Sequence, residues 1–208
     1  MKQYILCLLL PLLALGQSTD KPEKSVSSLP VGFHELKIGE AAPDFELIGV
    51  DEEMHTLKEY AEADFLMIAF LSNHCPTSQA VEGRIKKLVN DYKSKGLQLV
   101  AINPNDPAAL RADELGYSVY NDSFPEMKRH AKEQNFTFPY LYDGETQKTT
   151  LAYGGLATPH VLLFDKERKL RYQGRLDDSR YADESTVTSN DARNAIDALL
   201  AGKPVPVE

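Results

Sequence analysis

Cys75 stands in the run Leu66-Met67-Ile68-Ala69-Phe70-Leu71-Ser72-Asn73-His74-Cys75-Pro76-Thr77-Ser78: strand-forming residues, a short turn, then a thiol immediately before a proline. An amphipathic pattern follows, so the thiol is expected at a helix N-terminus. There it faces unpaired backbone N–H groups and the positive end of the helix dipole, and both favour the thiolate, the form that reacts. Pro76 falls in the first helical turn, where a missing N–H does no harm. His74, if protonated, would act in the same direction, although a histidine at such a place is also an ordinary turn residue. Ser78 can hydrogen-bond the sulfur but cannot attack a mixed disulfide, so an adduct on Cys75 must be released by an outside thiol. The residues point to monothiol chemistry: transfer of a small thiol, a mixed disulfide with a client, or oxidation by peroxide to a sulfenic acid that a partner resolves. Burial of Cys75 as a small hydrophobe is the bland alternative; the turn before it and the proline after it weigh against that.

The elements that must position this thiol are legible around it. Residues 65–71 form a nearly continuous apolar run, as expected of a central strand covered on both faces. Residues 76–95 carry Val81, Ile85, Leu88, Val89 and Tyr92 at helical spacing, and Gly96 closes the helix. A second strand is predicted over 97–102, which makes a right-handed parallel crossover the default. Before the first of these, 43–48 alternates and 54–57 returns as the second arm of a hairpin. Residues 103–121 read as loop, 124–134 as helix, 139–142 as a short strand and 146–153 as a short helix. A hairpin is predicted from 160–164 to 170–173. Thr188 and Asp191 suggest a capping box for a last helix with Ala192, Ala195, Ile196, Leu199 and Leu200 on one face. Asp177-Asp178 reads as a solvated loop, and Arg84 either reaches the thiolate or belongs, with Lys86 and Lys87, to a wet helix face.

Residues 1–16 read as a secretory signal, with Lys2, an apolar stretch from Ile5 to Leu15 and a small-residue cleavage site at Ala14-Leu15-Gly16. The stretch is shorter than the about 20 residues a membrane span needs. Cys7 lies inside it and is lost with it. The expected organisation is a signal peptide at 1–16, a flexible polar leader at 17–32 and one domain at 33–208. Loss of Lys2 takes the formal charge from −8 to −9, which argues against nucleic acid, or a membrane after signal cleavage, as a partner. Export and a single remaining cysteine together leave no internal disulfide. Asn121-Asp122-Ser123 and Asn135-Phe136-Thr137 match the N-glycosylation acceptor pattern, which has meaning only in a eukaryotic secretory pathway.

Several stretches taken together resemble a known family. They are Gly39-Glu40-Ala41-Ala42-Pro43-Asp44-Phe45-Glu46-Leu47, Ser72-Asn73-His74-Cys75-Pro76, Thr158-Pro159 before a strand from His160, Tyr172-Gln173-Gly174-Arg175-Leu176-Asp177-Asp178-Ser179-Arg180, and Lys203-Pro204-Val205-Pro206. In their order and spacing they are similar to redoxin-like proteins of the thioredoxin superfamily, grouped with alkyl hydroperoxide reductase and thiol-specific antioxidant. The resemblance runs from about Gly39 to the C-terminus. It implies an α/β thioredoxin-like fold, a central mixed sheet flanked by helices, with an N-terminal β-hairpin extension. It also implies a cis peptide bond at Thr158-Pro159 and makes Thr158, Pro159, Pro76 and Thr77 the walls against which a substrate lies, while Cys75, Ser78 and His74 form the catalytic set.

The active-site stretch departs from that pattern. Ser78 stands where dithiol relatives carry a second cysteine, Ala157 where subgroup members often carry one before Thr-Pro, Ala69 where thioredoxins usually place a buried Asp, and Ile68 where peroxiredoxins have the proline of Pro-x-x-x-Thr/Ser-x-x-Cys. No cofactor is implied. His74, Cys75 and His160 are ligand types for copper or zinc, but no local spacing joins them and no metal is assigned. Two functions stay open. One is an exported thiol oxidoreductase working by disulfide exchange or peroxide reduction, with an external thiol or redox partner protein and a disulfide-containing client or a peroxide as substrate. The other is a catalytically silent module that binds extended peptides or client proteins.

Overall fold

The computed structural model describes residues 29–205; the expected signal peptide, with Cys7, and most of the leader lie outside them. The elements run β1 (Glu46–Gly49), β2 (Met54–Thr56), β3 (Phe65–Phe70), α1 (Pro76–Tyr92), β4 (Leu97–Asn103), α2 (Phe124–Glu133), β5 (Tyr140–Tyr142), α3 (Lys148–Ala152), β6 (His160–Phe164), β7 (Leu170–Gly174) and α4 (Asp191–Leu200). They build one mixed sheet in the order β2-β1-β5-β4-β3-β6-β7. The β3–α1–β4 crossover is parallel, β6 pairs antiparallel with β3, and the β1–β2 hairpin extends the far edge. This is the α/β arrangement that the resemblance implies.

The apolar run of β3 supplies both layers because side chains alternate across a strand. Leu66, Ile68 and Phe70 pack with Leu36, Phe45, Tyr153, Leu162 and Phe164 on one face. Met67 and Ala69 pack on the other with Ile85 and Leu88 of α1, Met127 of α2 and Ile196 of α4. Large side chains fully buried in this way contribute about 1.5–3 kcal/mol each. The strand is therefore a fixed platform, and whatever follows Phe70 starts from a defined place. A 3₁₀ turn ends α1, and Gly96 takes φ +85° to enter β4. A Cβ there would lie 2.3 Å from the Asp64 carboxylate, so glycine is required both for conformation and for space.

Three local expectations change. The capping box at the last helix does not form: Asn190 is the N-cap of α4. Thr188 instead gives its N–H, at 2.8 Å, and its hydroxyl to Asp178, and the Thr188 hydroxyl is the first cause pushing the Asp178 carboxyl down to about 2. Asp177 is buried and takes a two-point grip from Arg84, Nε at 2.6 Å and Nη2 at 3.0 Å. Arg84 is thus no wet-face residue. Finally, α3 is shorter than the predicted 146–153, because the buried Asp143 carboxylate accepts the Thr150 N–H at 2.6 Å and closes the turn before it. No helix among the described residues is long and apolar enough to cross a membrane.

Candidate active site

The register Phe70↔His160 sets the site. Where β3 ends, β6 begins beside it, so residues just beyond the one meet residues just before the other. Past Phe70 the chain turns through Leu71 to His74, and Cys75 becomes the N-cap of α1 with φ −72° and ψ 116°. Its carbonyl accepts the Gln79 N–H at 3.0 Å, the first bond of the helix. Pro76 occupies the first helical position, as read from the sequence. Before β6 the Thr158-Pro159 peptide is cis. The two loops converge so that the half-buried Cys75 thiol donates to the Thr158 carbonyl at 3.4 Å. Pro76 is exposed and Thr77 half-buried in the first turn of α1.

Ser78 does not meet the sulfur. Its side chain is fully buried and its hydroxyl accepts the Ser72 N–H at 3.3 Å. The helix turns this residue inward, and the backbone amide of the preceding loop reaches it first. Arg84 is equally removed from the thiol: besides Asp177 it donates to the carbonyls of Ala80, Ser179 and Tyr181. His160 is half-buried at the start of β6, and burial lowers its pKa. It does not line the cavity that holds His74 and Cys75.

His74 is held by a residue that sequence reasoning did not single out. Asp122, in the loop before α2, is fully buried. Its carboxylate accepts the Asn73 N–H at 2.6 Å, His74 Nδ1 at 2.5 Å, the Asn103 amide at 3.0 Å, the Asn105 amide at 2.8 Å and the Ser72 hydroxyl at 3.3 Å. The Ser72 oxygen also takes the Cys75 N–H at 3.3 Å. Asn73, buried beside it, receives the Tyr140 hydroxyl at 2.9 Å and gives its amide to the Asn121 carbonyl at 2.8 Å. One carboxylate thus ties the nucleophile loop to the end of β4 and to the approach to α2. The only local signal for Asp122 was its place just before a helix start, and the pattern around it reads equally as a glycosylation acceptor. Asn121 of that acceptor pattern is half-buried, with its side-chain oxygen on the Ser123 N–H at 2.8 Å; Asn135 of the other is exposed.

A cavity of about 360 Å³ opens at the thiol, with Cys75, His74, Thr158, Asn105, Leu110 and Leu156 among its lining residues. A larger one, about 820 Å³, lies between Phe65, Arg171 and the end of α4 and touches none of these residues. A half-exposed thiol at a helix start, beside a carbonyl wall and a histidine pinned by a carboxylate, can attack an electrophilic sulfur or a peroxide oxygen that enters the smaller cavity.

A family model described as Redoxin matches residues 37–190. The chain is similar to the thiol-disulfide oxidoreductase ResA of Geobacillus thermodenitrificans, 23% identical over 136 residues, which is 65% of this chain and 68% of that protein. Among solved structures, an uncharacterized conserved protein from Geobacillus kaustophilus has a TM-score of 0.72 at 40% identity, covering 83% of this chain and 86% of that one. A hypothetical protein from Sinorhizobium meliloti 1021 also has a TM-score of 0.72, at 35% identity, with coverage of 84% and 90%.

Proposed function

The chain belongs to the Redoxin family, and from that premise we propose that it is a thiol oxidoreductase working by thiol–disulfide exchange through the single nucleophile Cys75. The observation that carries this reading is the setting of Sγ: at the start of α1, open to a cavity, and 3.4 Å from the Thr158 carbonyl beside cis Pro159. The Cys75 thiolate attacks one sulfur of a client disulfide. A bond from Sγ to that sulfur forms, the client S–S bond breaks, and the second client sulfur leaves and takes a proton. An external thiol then attacks the client sulfur of the mixed disulfide, returning Cys75 to the thiol and leaving the client joined to that external thiol. Thr158 and Pro159 form one wall for an extended client segment, and Pro76 and Thr77 the other. Ser78 carries no sulfur and takes no part in release.

Disulfide exchange is preferred to peroxide reduction because Ser72, the hydroxyl of the Ser-x-x-Cys match, is buried and already engaged by Asp122 and the Cys75 N–H. We assign the work to an exported mature chain, with 1–16 removed as signal, 17–32 a leader and 33–208 the redoxin domain.

The test is capture. The reduced protein is mixed with a cystine-containing model peptide and followed by mass spectrometry, with hydrogen peroxide in a parallel reaction. The expected result is a peptide-sized adduct on Cys75 that a small thiol removes and that Cys75→Ser abolishes. Faster gain of one oxygen from peroxide than of peptide would replace exchange by peroxidase activity. Undiminished peptide binding by Cys75→Ser would make the protein a binding module instead.

A further inference from the structure

We infer that Asp122 is the positioning residue of a proton relay, Cys75–His74–Asp122, assembled across 48 residues of chain; the inference rests on Cys75 being the nucleophile. The strand beneath the thiol offers no proton carrier, since Met67, Ile68, Ala69 and Phe70 are apolar and fully buried. The titratable groups around the cavity are Cys75, His74 and Glu114, with Asp122 behind His74.

Three observations define the relay. First, a carboxylate only accepts, so the 2.5 Å contact from His74 Nδ1 to Asp122 puts the ring proton on Nδ1. Nε2 is then the acceptor of the neutral ring, and it has no hydrogen-bond partner among the described residues. Second, the ring is fixed on that side by two groups, Asp122 and the Ser72 hydroxyl at 3.0 Å, while the His74 side chain keeps 16% exposure. Third, His74 and Cys75 are neighbours in the chain and line the same cavity, while the thiol itself donates to the Thr158 carbonyl at 3.4 Å.

The chemistry balances. Neutral His74 takes the Cys75 thiol proton at Nε2 and becomes an imidazolium held against Asp122. The thiolate displaces one client sulfur, and the imidazolium returns its proton to the departing one. In the second half the external thiol gives its proton to His74, its sulfur takes the client sulfur, and Cys75 leaves to be reprotonated. Asp122 keeps its own protonation state throughout and acts by holding the tautomer and the ring plane.

The decisive experiment is the pH–rate profile of mixed-disulfide formation with the cystine peptide in the wild type, His74→Gln, Asp122→Asn and the double variant. General acid–base assistance of this kind is worth about 10²-fold or more. We expect each single variant to lose about that factor near neutral pH with a changed profile, and the double variant to be no slower than His74→Gln alone. The neutral tautomer is read independently by ¹⁵N NMR of His74 in the unaltered protein, with the proton expected on Nδ1, which keeps the test sound should Asp122→Asn fail to fold. A wild type that forms no mixed disulfide overturns the exchange function and the relay with it. A reactive wild type whose profile His74→Gln reproduces, or a neutral ring protonated on Nε2, overturns the relay alone.

Discussion

Ser78 looks, on paper, like a partner for the sulfur, and its actual hydrogen bond to the Ser72 N–H separates what local spacing conveys from what packing decides. Ser78→Ala should leave the rate of Cys75 alkylation unchanged. Thermal denaturation should show a loss of about 1 kcal/mol, because a buried N–H is stranded; an alkylation rate that falls with the hydroxyl would restore the sulfur contact. The neighbouring residues divide the same way. Cys75, Pro76 and Thr158-Pro159 were legible because their chemistry is written within a few positions: a strand, a turn, a thiol before proline, and a Thr-Pro before the next strand. Asp122 and Asn73 were not. Their partners lie up to 67 residues away, and a polar residue next to a predicted helix gives no sign that five donors converge on it.

At the scale of elements, Arg84 does the most to join separate pieces. It fixes α1 to the loop after β7 through Asp177 and two carbonyls, with both charged side chains buried. Arg84→Met should cost about 3–5 kcal/mol, read as a lower urea midpoint, since it leaves the Asp177 carboxylate buried without its counter-charge. Replacing both partners by apolar residues should recover much of that loss, which a double-variant cycle would measure. The β3–α1–β4 crossover, the two hairpins and α2 were readable because each rests on periodicity within one segment. The capping box before α4 was not correctly readable. Thr188 gives its N–H and hydroxyl to Asp178, ten residues back, a partner that its own neighbourhood in the sequence does not announce. Arg84 failed for the same reason, because its sequence neighbours Lys86 and Lys87 suggested a solvated face while its partner Asp177 lies 93 residues along the chain.

For the whole molecule, pH enters through the sheet as well as through the site. Burial lowers the pKa of His160 at the start of β6 from its ordinary value of 6.5. The unfolded chain therefore binds that proton more readily than the folded one, and the contribution to stability is full above pH 6.5 and declines as pH falls through it toward the folded value. His160→Gln should flatten that part of the stability–pH curve, measured by denaturant titration between pH 7.5 and about 5; an unchanged slope would remove His160 from the account. The half-buried Cys75 with Ser78 turned inward has one more consequence, which concerns time. Among the described residues no second thiol stands beside Cys75, so under the proposed exchange the lifetime of a captured client would be set by the concentration of thiols supplied from outside. On that proposal the same chain would turn its client over in thiol-rich surroundings and hold it long where thiols are scarce, so that its dwell time would report the reducing capacity of the place it occupies.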